Sequence, residues 1–286
     1  MTRFDVRVAR LALALGAAGF IGGCSATSVR PVAVIPPVPV VHAVAAPAPA
    51  LPPWLLHLPG IGGKRAIDVA MTRGFQRGGF NGDLEIYDWT EHDAGLHALI
   101  AYDRNHKEAR RIAAMITERF DRDPSAPIYV TSHSGGGGLA VWALEYLPER
   151  VKITTLVMMS PALSPKYDLT AALRHVSGKV YVFSSLGDTL VLGTGCTMLG
   201  TIDGVKTAAA GLGGFVRPAT GDAGQYAKLV PMPYNPAWVQ YDDVGNHVGG
   251  MTQSFGQEVL APLVLSGKLP SANGASVSVR PSQAMQ

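Results

Sequence analysis

Between Trp54 and Leu265 the hydrophobic period switches repeatedly between short apolar runs and helical spacing. Trp54-Leu55-Leu56-His57-Leu58 is an apolar run closed by Pro59-Gly60, the pattern of a buried strand. Leu84 and Ile86, with aromatic neighbours, follow the turn Asn81-Gly82-Asp83 and predict a second strand. Ala109, Ile112, Ala113, Ile116 and Phe120 share one helical face. Asn105, with Glu108 three residues on, predicts a capping box for that helix, and Pro124 ends it. Ile128 to Thr131 predicts a strand that empties into a helix from Gly136 to Leu147, closed by Pro148. Ile153 to Met159 and Lys179 to Ser184 are continuous apolar or β-branched runs, as in strands covered on both faces. Trp238 to Tyr241 predicts a last strand, and Met251, Phe255, Val259 and Leu263 the stripe of a final helix. About six strands alternating with helices predict an α/β domain with a mostly parallel sheet and helices on both faces. In such sheets reacting groups gather at the carboxyl ends of the strands.

One stretch breaks the alternation. Leu190 to Tyr234 is rich in Gly and Ala without a long periodic element, and reads as an insertion over the sheet, a lid or pocket wall. The domain is thus expected over 54–268, with 190–234 inserted, and the tail 269–286 is polar, aperiodic and expected to be disordered. Ser25 to Pro53 carries almost no charge and is interrupted by Pro31, Pro36, Pro37, Pro39, Pro47, Pro49, Pro52 and Pro53. Proline denies a strand its donors and a helix its ladder, so 24–53 reads as an extended tether, with an edge strand at Val32 to Ile35 or Val38 to Val41 as the alternative. In polyproline geometry it would reach roughly 80 Å.

The first 23 residues read as an export signal: Arg3, Arg7 and Arg10 precede the apolar run Leu11 to Ile21, which is too short to span a bilayer comfortably. Ile21-Gly22-Gly23-Cys24 resembles the lipobox of bacterial lipoproteins. That resemblance implies cleavage before Cys24, lipidation of its sulfur, and a membrane-anchored protein of the bacterial cell envelope; the alternative is a secreted or periplasmic protein. With Cys24 lipidated, Cys196 has no intrachain partner and reads as a small buried hydrophobe. The net charge of +3, without a basic stripe, argues against nucleic acid as a partner.

The chemistry centres on Val130-Thr131-Ser132-His133-Ser134-Gly135-Gly136-Gly137-Gly138, where a β-branched strand enters a small-residue turn opening onto a helix. This is the form of a nucleophile elbow, G-x-S-x-G, with Ser132 where the first glycine is usual. A serine hydroxyl is a weak nucleophile at neutral pH, so Ser134 needs a base, a group that orients the base, and donors for the oxyanion. Of eight histidines, His42 falls in the tether, His57 in a buried strand, His106 on a surface helix, and His92, His97 and His175 follow no clear strand end. His133 adjoins the nucleophile but is expected to point away from the base position. His247, in Gly245-Asn246-His247-Val248-Gly249-Gly250, is the candidate base, against a solvated loop histidine. Asp188, in Ser185-Leu186-Gly187-Asp188 after a strand, is the candidate orienting acid; Asp242 and Asp243 could orient His247 locally, and Asp168 and Asp203 are weaker competitors. The amides of Gly135, Ile61 and Gly62, the latter two in Pro59-Gly60-Ile61-Gly62-Gly63, are the candidate oxyanion donors.

The order Ser134, Asp188, His247, with a glycine loop upstream, resembles the α/β-hydrolase superfamily, and the glycine loop and elbow resemble those of lipases and esterases. The resemblance implies carboxylic-ester hydrolysis through an acyl-enzyme, on a small-molecule or lipid ester, with no metal or organic cofactor. The two strands that often open this fold would have to come from the proline-rich segment. An acyltransferase on the same residues, or a non-catalytic exported scaffold, are the alternatives. The apolar stretch Leu190 to Phe215 suits an acyl pocket or simply core.

Overall fold

The computed structural model describes Ala50 to Leu269 and the two-residue strand Val277–Ser278. The export signal, Cys24, most of the tether and most of the tail lie outside the described residues.

Strand β1 (Trp54–Leu58) is buried along its length and is followed by helix α1 (Ala66–Arg77) and strand β2 (Asp83–Ile86). Helices α2 (Leu96–Ile100) and α3 (Tyr102–Arg122) lead to β3 (Ile128–His133), α4 (Gly136–Glu145) and β4 (Thr155–Met159). A short α5 (Thr170–Leu173) precedes β5 (Val180–Ser184) and β6 (Leu229–Pro233). The six strands form one sheet in the order β2-β1-β3-β4-β5-β6, and every adjacent pair is parallel. This is the α/β architecture, a parallel sheet of six strands, that the alternation of periods predicts.

Alternation along the strands divides the core in two. Trp54, Leu56 and Leu58 face a layer with Ile112, Ile116, Leu139 and Trp142 from α3 and α4. Leu55 and, from β3, Tyr129 face the opposite layer with Met71 and Phe75 of α1 and Phe255, Val259 and Leu263 of the closing helical stretch. Helices therefore cover both faces, and each fully buried Leu, Val, Ile or Phe contributes about 1.5–3 kcal/mol of transfer free energy. The closing stretch winds through a turn at Gly249–Met251, Gln253–Phe255, a π-helical Gly256–Leu260 and Ala261–Ser266. A Cβ on Gly74 would collide with the Gln253 carbonyl, so these two helical segments meet backbone to backbone.

Several expectations are corrected. The last strand of the six-stranded sheet is β6, inside the stretch read as an insertion, whereas Pro236–Tyr241 is a 3-10 helix. Helix α3 begins at Tyr102, not after Asn105. Asn105 is buried and its Nδ2 donates to the Ala98 carbonyl at 2.7 Å, so the proposed capping box is absent. Separately, Lys268–Leu269 pairs antiparallel with Val277–Ser278, and the rest of the stretch expected to be a disordered tail lies outside the described residues.

Candidate active site

The β3–α4 turn is tight because β1 passes directly beside it. A Cβ on Gly136 would collide with the carbonyl oxygens of Leu58 and Pro59, which is why the position after the turn must be glycine. Ser132 fills the place of the usual first glycine without conflict, because its hydroxyl donates to the Val157 carbonyl at 3.3 Å. Between them Ser134 takes φ 51, a left-handed conformation costing a non-glycine residue on the order of 1–3 kcal/mol. Neighbouring backbone holds it there: its N–H donates to the Met159 carbonyl at 2.9 Å, and its own carbonyl accepts from Gly137 and Ala162 at 3.0 Å each.

The structure brings Ser134, His247 and Asp188 together from three carboxyl-side loops. His247 Nδ1 lies 2.6 Å from Asp188 Oδ2, and Nε2 lies 3.1 Å from Ser134 Oγ. A carboxylate only accepts, so Nδ1 carries the proton and Nε2 presents its lone pair to the serine hydroxyl. Asp188 is 3% exposed and caps the π-helical Thr189–Gly195, whose first turn is fixed by the Leu192 N–H donating to the Asp188 carbonyl at 3.1 Å. Ser185 joins the acid and base loops by donating to the Gly245 carbonyl at 2.5 Å.

The competing acids are engaged elsewhere. Asp242 accepts from Ser254 and Asp243 from the Gly245 N–H, while Asp168 accepts from Thr170 and Thr220, and Asp203 from Ser164 and Thr201. Among the other histidines, His57 is buried between Asp68 and Thr131, His175 donates to the Val151 carbonyl, and His106 stacks on Trp142.

Ile61, Gly62 and Ser134 line one cleft of about 260 Å³, together with Arg65, Val191 and His247. Three contacts set the glycine loop: Trp89 Nε1 donates to the Pro59 carbonyl, Gly63 to that of Gly60, and Gly95 to that of Ile61. The carbonyls of Pro59, Gly60 and Ile61 are thereby occupied, while the N–H groups of Ile61, Gly62 and Gly135 have no acceptor among the described residues. Such amides beside a serine are the components of an oxyanion site.

Sequence reasoning missed the part played by His133. Its Nε2–H donates to the His247 carbonyl at 2.9 Å, and the two rings lie 4.8 Å apart. Burial, then the charge of a protonated His247, hold its pKa down to about 3, against the contrary pull of the carbonyl it bonds. Its place directly before the nucleophile, at the end of a strand in mid-sheet, was the available signal. Among the described residues no group of three or more His, Cys, Asp or Glu side chains is gathered to hold a metal ion.

No family model and no curated protein matches the chain. Solved structures that resemble it include esterase PE8, at 14% identity over 69% of this chain and 86% of that one, with a TM-score of 0.39. Est1E from Butyrivibrio proteoclasticus is 14% identical over 73% and 87%, with a TM-score of 0.41. An acetylxylan esterase is 12% identical over 74% and 97%, with a TM-score of 0.42.

Proposed function

We propose that this chain is a serine hydrolase that cleaves carboxylic esters through a covalent acyl-enzyme. The observation that carries the reading is the hydrogen-bonded relay from Asp188 through His247 to a serine held in left-handed backbone at a strand-to-helix turn. Ser134 Oγ attacks the ester carbonyl carbon while its proton passes to His247 Nε2. Asp188 holds the imidazole in the required tautomer and stabilises the imidazolium without taking its proton. The developing oxyanion lies against the N–H of Gly135 and those of Ile61 and Gly62; one such donor typically accounts for about 100-fold to 1,000-fold in rate. Collapse expels the alcohol, which takes the proton from His247. Water, deprotonated by the same nitrogen, then attacks the acyl-enzyme and releases the carboxylic acid.

A fluorophosphonate probe tests this. The wild type should be labelled on Ser134 and hydrolyse short-chain 4-nitrophenyl esters, and Ser134→Ala should lose both. Equal labelling of the two proteins would overturn the assignment. The N-terminal segment adds a second element: Cys24 carries the lipid that anchors the mature protein to a bacterial membrane, a reading supported by the lipobox-like Ile21-Gly22-Gly23-Cys24.

A further inference from the structure

The cleft beside Ser134 is unevenly charged. Ile61, Ile67, Val191 and Val248 give it apolar walls, and Arg65 and Asp68 are its only lining residues with a formal charge at neutral pH apart from the histidines. Asp68 is fully used: buried to 1% exposure, it accepts from the Arg65 N–H at 2.7 Å on Oδ2 and lies 2.9 Å from His57 Nε2 through Oδ1. The Arg65 guanidinium has neither a hydrogen-bond partner nor an ion pair among the described residues. Its position is nevertheless defined. A Cβ built on Gly62 would lie 3.2 Å from Arg65 Cδ and 3.5 Å from Nη1, so the side chain runs alongside the glycine loop that lines the same cleft as Ser134.

We infer that Arg65 selects esters bearing a carboxylate or similar anion close to the scissile bond; the inference rests on the ester-hydrolase reading of the same site. A plain alkyl ester gains nothing from an unpaired guanidinium at the cleft wall. A substrate carboxylate would meet a planar fork of donors suited to two parallel hydrogen bonds, and the guanidinium sheds water more readily than an ammonium would. Arg65 is exposed, so such a pair forms at the mouth of the cleft and is sensitive to salt. The short distance from Arg65 to the oxyanion loop sets the scale, so the anion belongs a few bonds from the ester carbonyl, on either the acyl or the alcohol side.

Two ester pairs test the inference and separate the sides. The acyl pair is 4-nitrophenyl hydrogen glutarate against 4-nitrophenyl valerate, matched in chain length. The alcohol pair is 4-acetoxybenzoate against its methyl ester. In the wild type at low ionic strength, kcat/KM should favour the anionic member of at least one pair by about tenfold. Arg65→Gln should remove that preference, Arg65→Lys should keep part of it, and added salt should weaken it in the wild type. Equal ratios in wild type and Arg65→Gln for both pairs would overturn the inference. Fluorophosphonate labelling of Ser134 distinguishes the two failures. Intact labelling with unchanged ratios removes the role of Arg65 alone, whereas absent labelling in the wild type removes the ester-hydrolase reading and this inference with it.

Discussion

His133 adjoins Ser134 in sequence, yet its hydrogen bond is to the backbone of His247. The contact ties the His247 loop to the end of β3, so the elbow and the base loop are positioned by one strand. A neutral imidazole suits this task, because a charged one would sit 4.8 Å from the His247 ring, the proposed proton acceptor. Its folded-state value of about 3 lies below the ordinary 6.5, so the unfolded chain binds a proton that the fold refuses. Stability therefore falls as pH drops from about 6.5 toward 3. In the working range His133 stays neutral. We predict that His133→Phe lowers kcat/KM by about tenfold, with a loss constant between about pH 6 and 9. His133→Gln, which keeps a donor, should recover part of it. A loss that varies across that range would show that His133 titrates there. The sequence offers Ser134 and Asp188 because each follows a strand, and His247 because it lies between glycines, although the strand expected before it is a 3-10 helix; the structure brings the three within hydrogen-bond reach. It could not reveal the His133 contact, which depends on how two loops 114 residues apart pack.

Elements with continuous apolar runs, β1, β3, β4 and β5, were readable because burial on both faces leaves no polar interruption. Strand β6 was not, because Pro231 and Pro233 demote any strand reading. Trp238 misled in the other direction. It is buried against Phe183 and Phe255 from a helical turn capped by Asn235, so its apolar character reflects packing and not pairing. Helix α3 shows the same effect with polar residues, since Asn105 and Glu108 serve tertiary bonds to Ala98 and Tyr87. At the end of α4, burial raises the Glu145 carboxyl to about 7, with Asp168 adding to the shift and the Tyr167 hydroxyl opposing it. The folded state thus holds a proton that the unfolded chain releases above about 4.5. The resulting stabilisation is complete at the acid end and is lost as pH rises through about 7. Thermal melts of wild type and Glu145→Gln should therefore diverge, with the wild type losing about 1–2 kcal/mol relative to the variant between about pH 5 and 8, after allowance for partial exposure. A constant difference would show that Glu145 is ionised throughout.

For the whole molecule, the fold class followed from the alternation of periods, and the carboxyl-end location of the site followed from the fold class. Cys196 is buried and free, with its thiol pushed up to about 11 mainly by burial, so among the described residues the packed layers hold the fold without a disulfide. The proposed lipidation of Cys24 belongs to this scale, because a lipid there would set where the folded domain resides. Cys24→Ala should abolish incorporation of an alkyne-tagged fatty acid and move the exported protein from the membrane to the soluble fraction. Unchanged labelling and fractionation would overturn that reading.

The two margins of the sheet differ in what they permit. Along β6, the Lys228 carbonyl and the Tyr234 N–H point toward β5, so by the two-residue period the N positions of residues 229, 231 and 233 point away from it. Two of those three are prolines and have no hydrogen to offer. A strand approaching that side would find a donor at residue 229 but none at 231 or 233, so pairing there is weakened. The prolines that concealed this strand in the sequence therefore also blunt it as a pairing edge in the folded molecule.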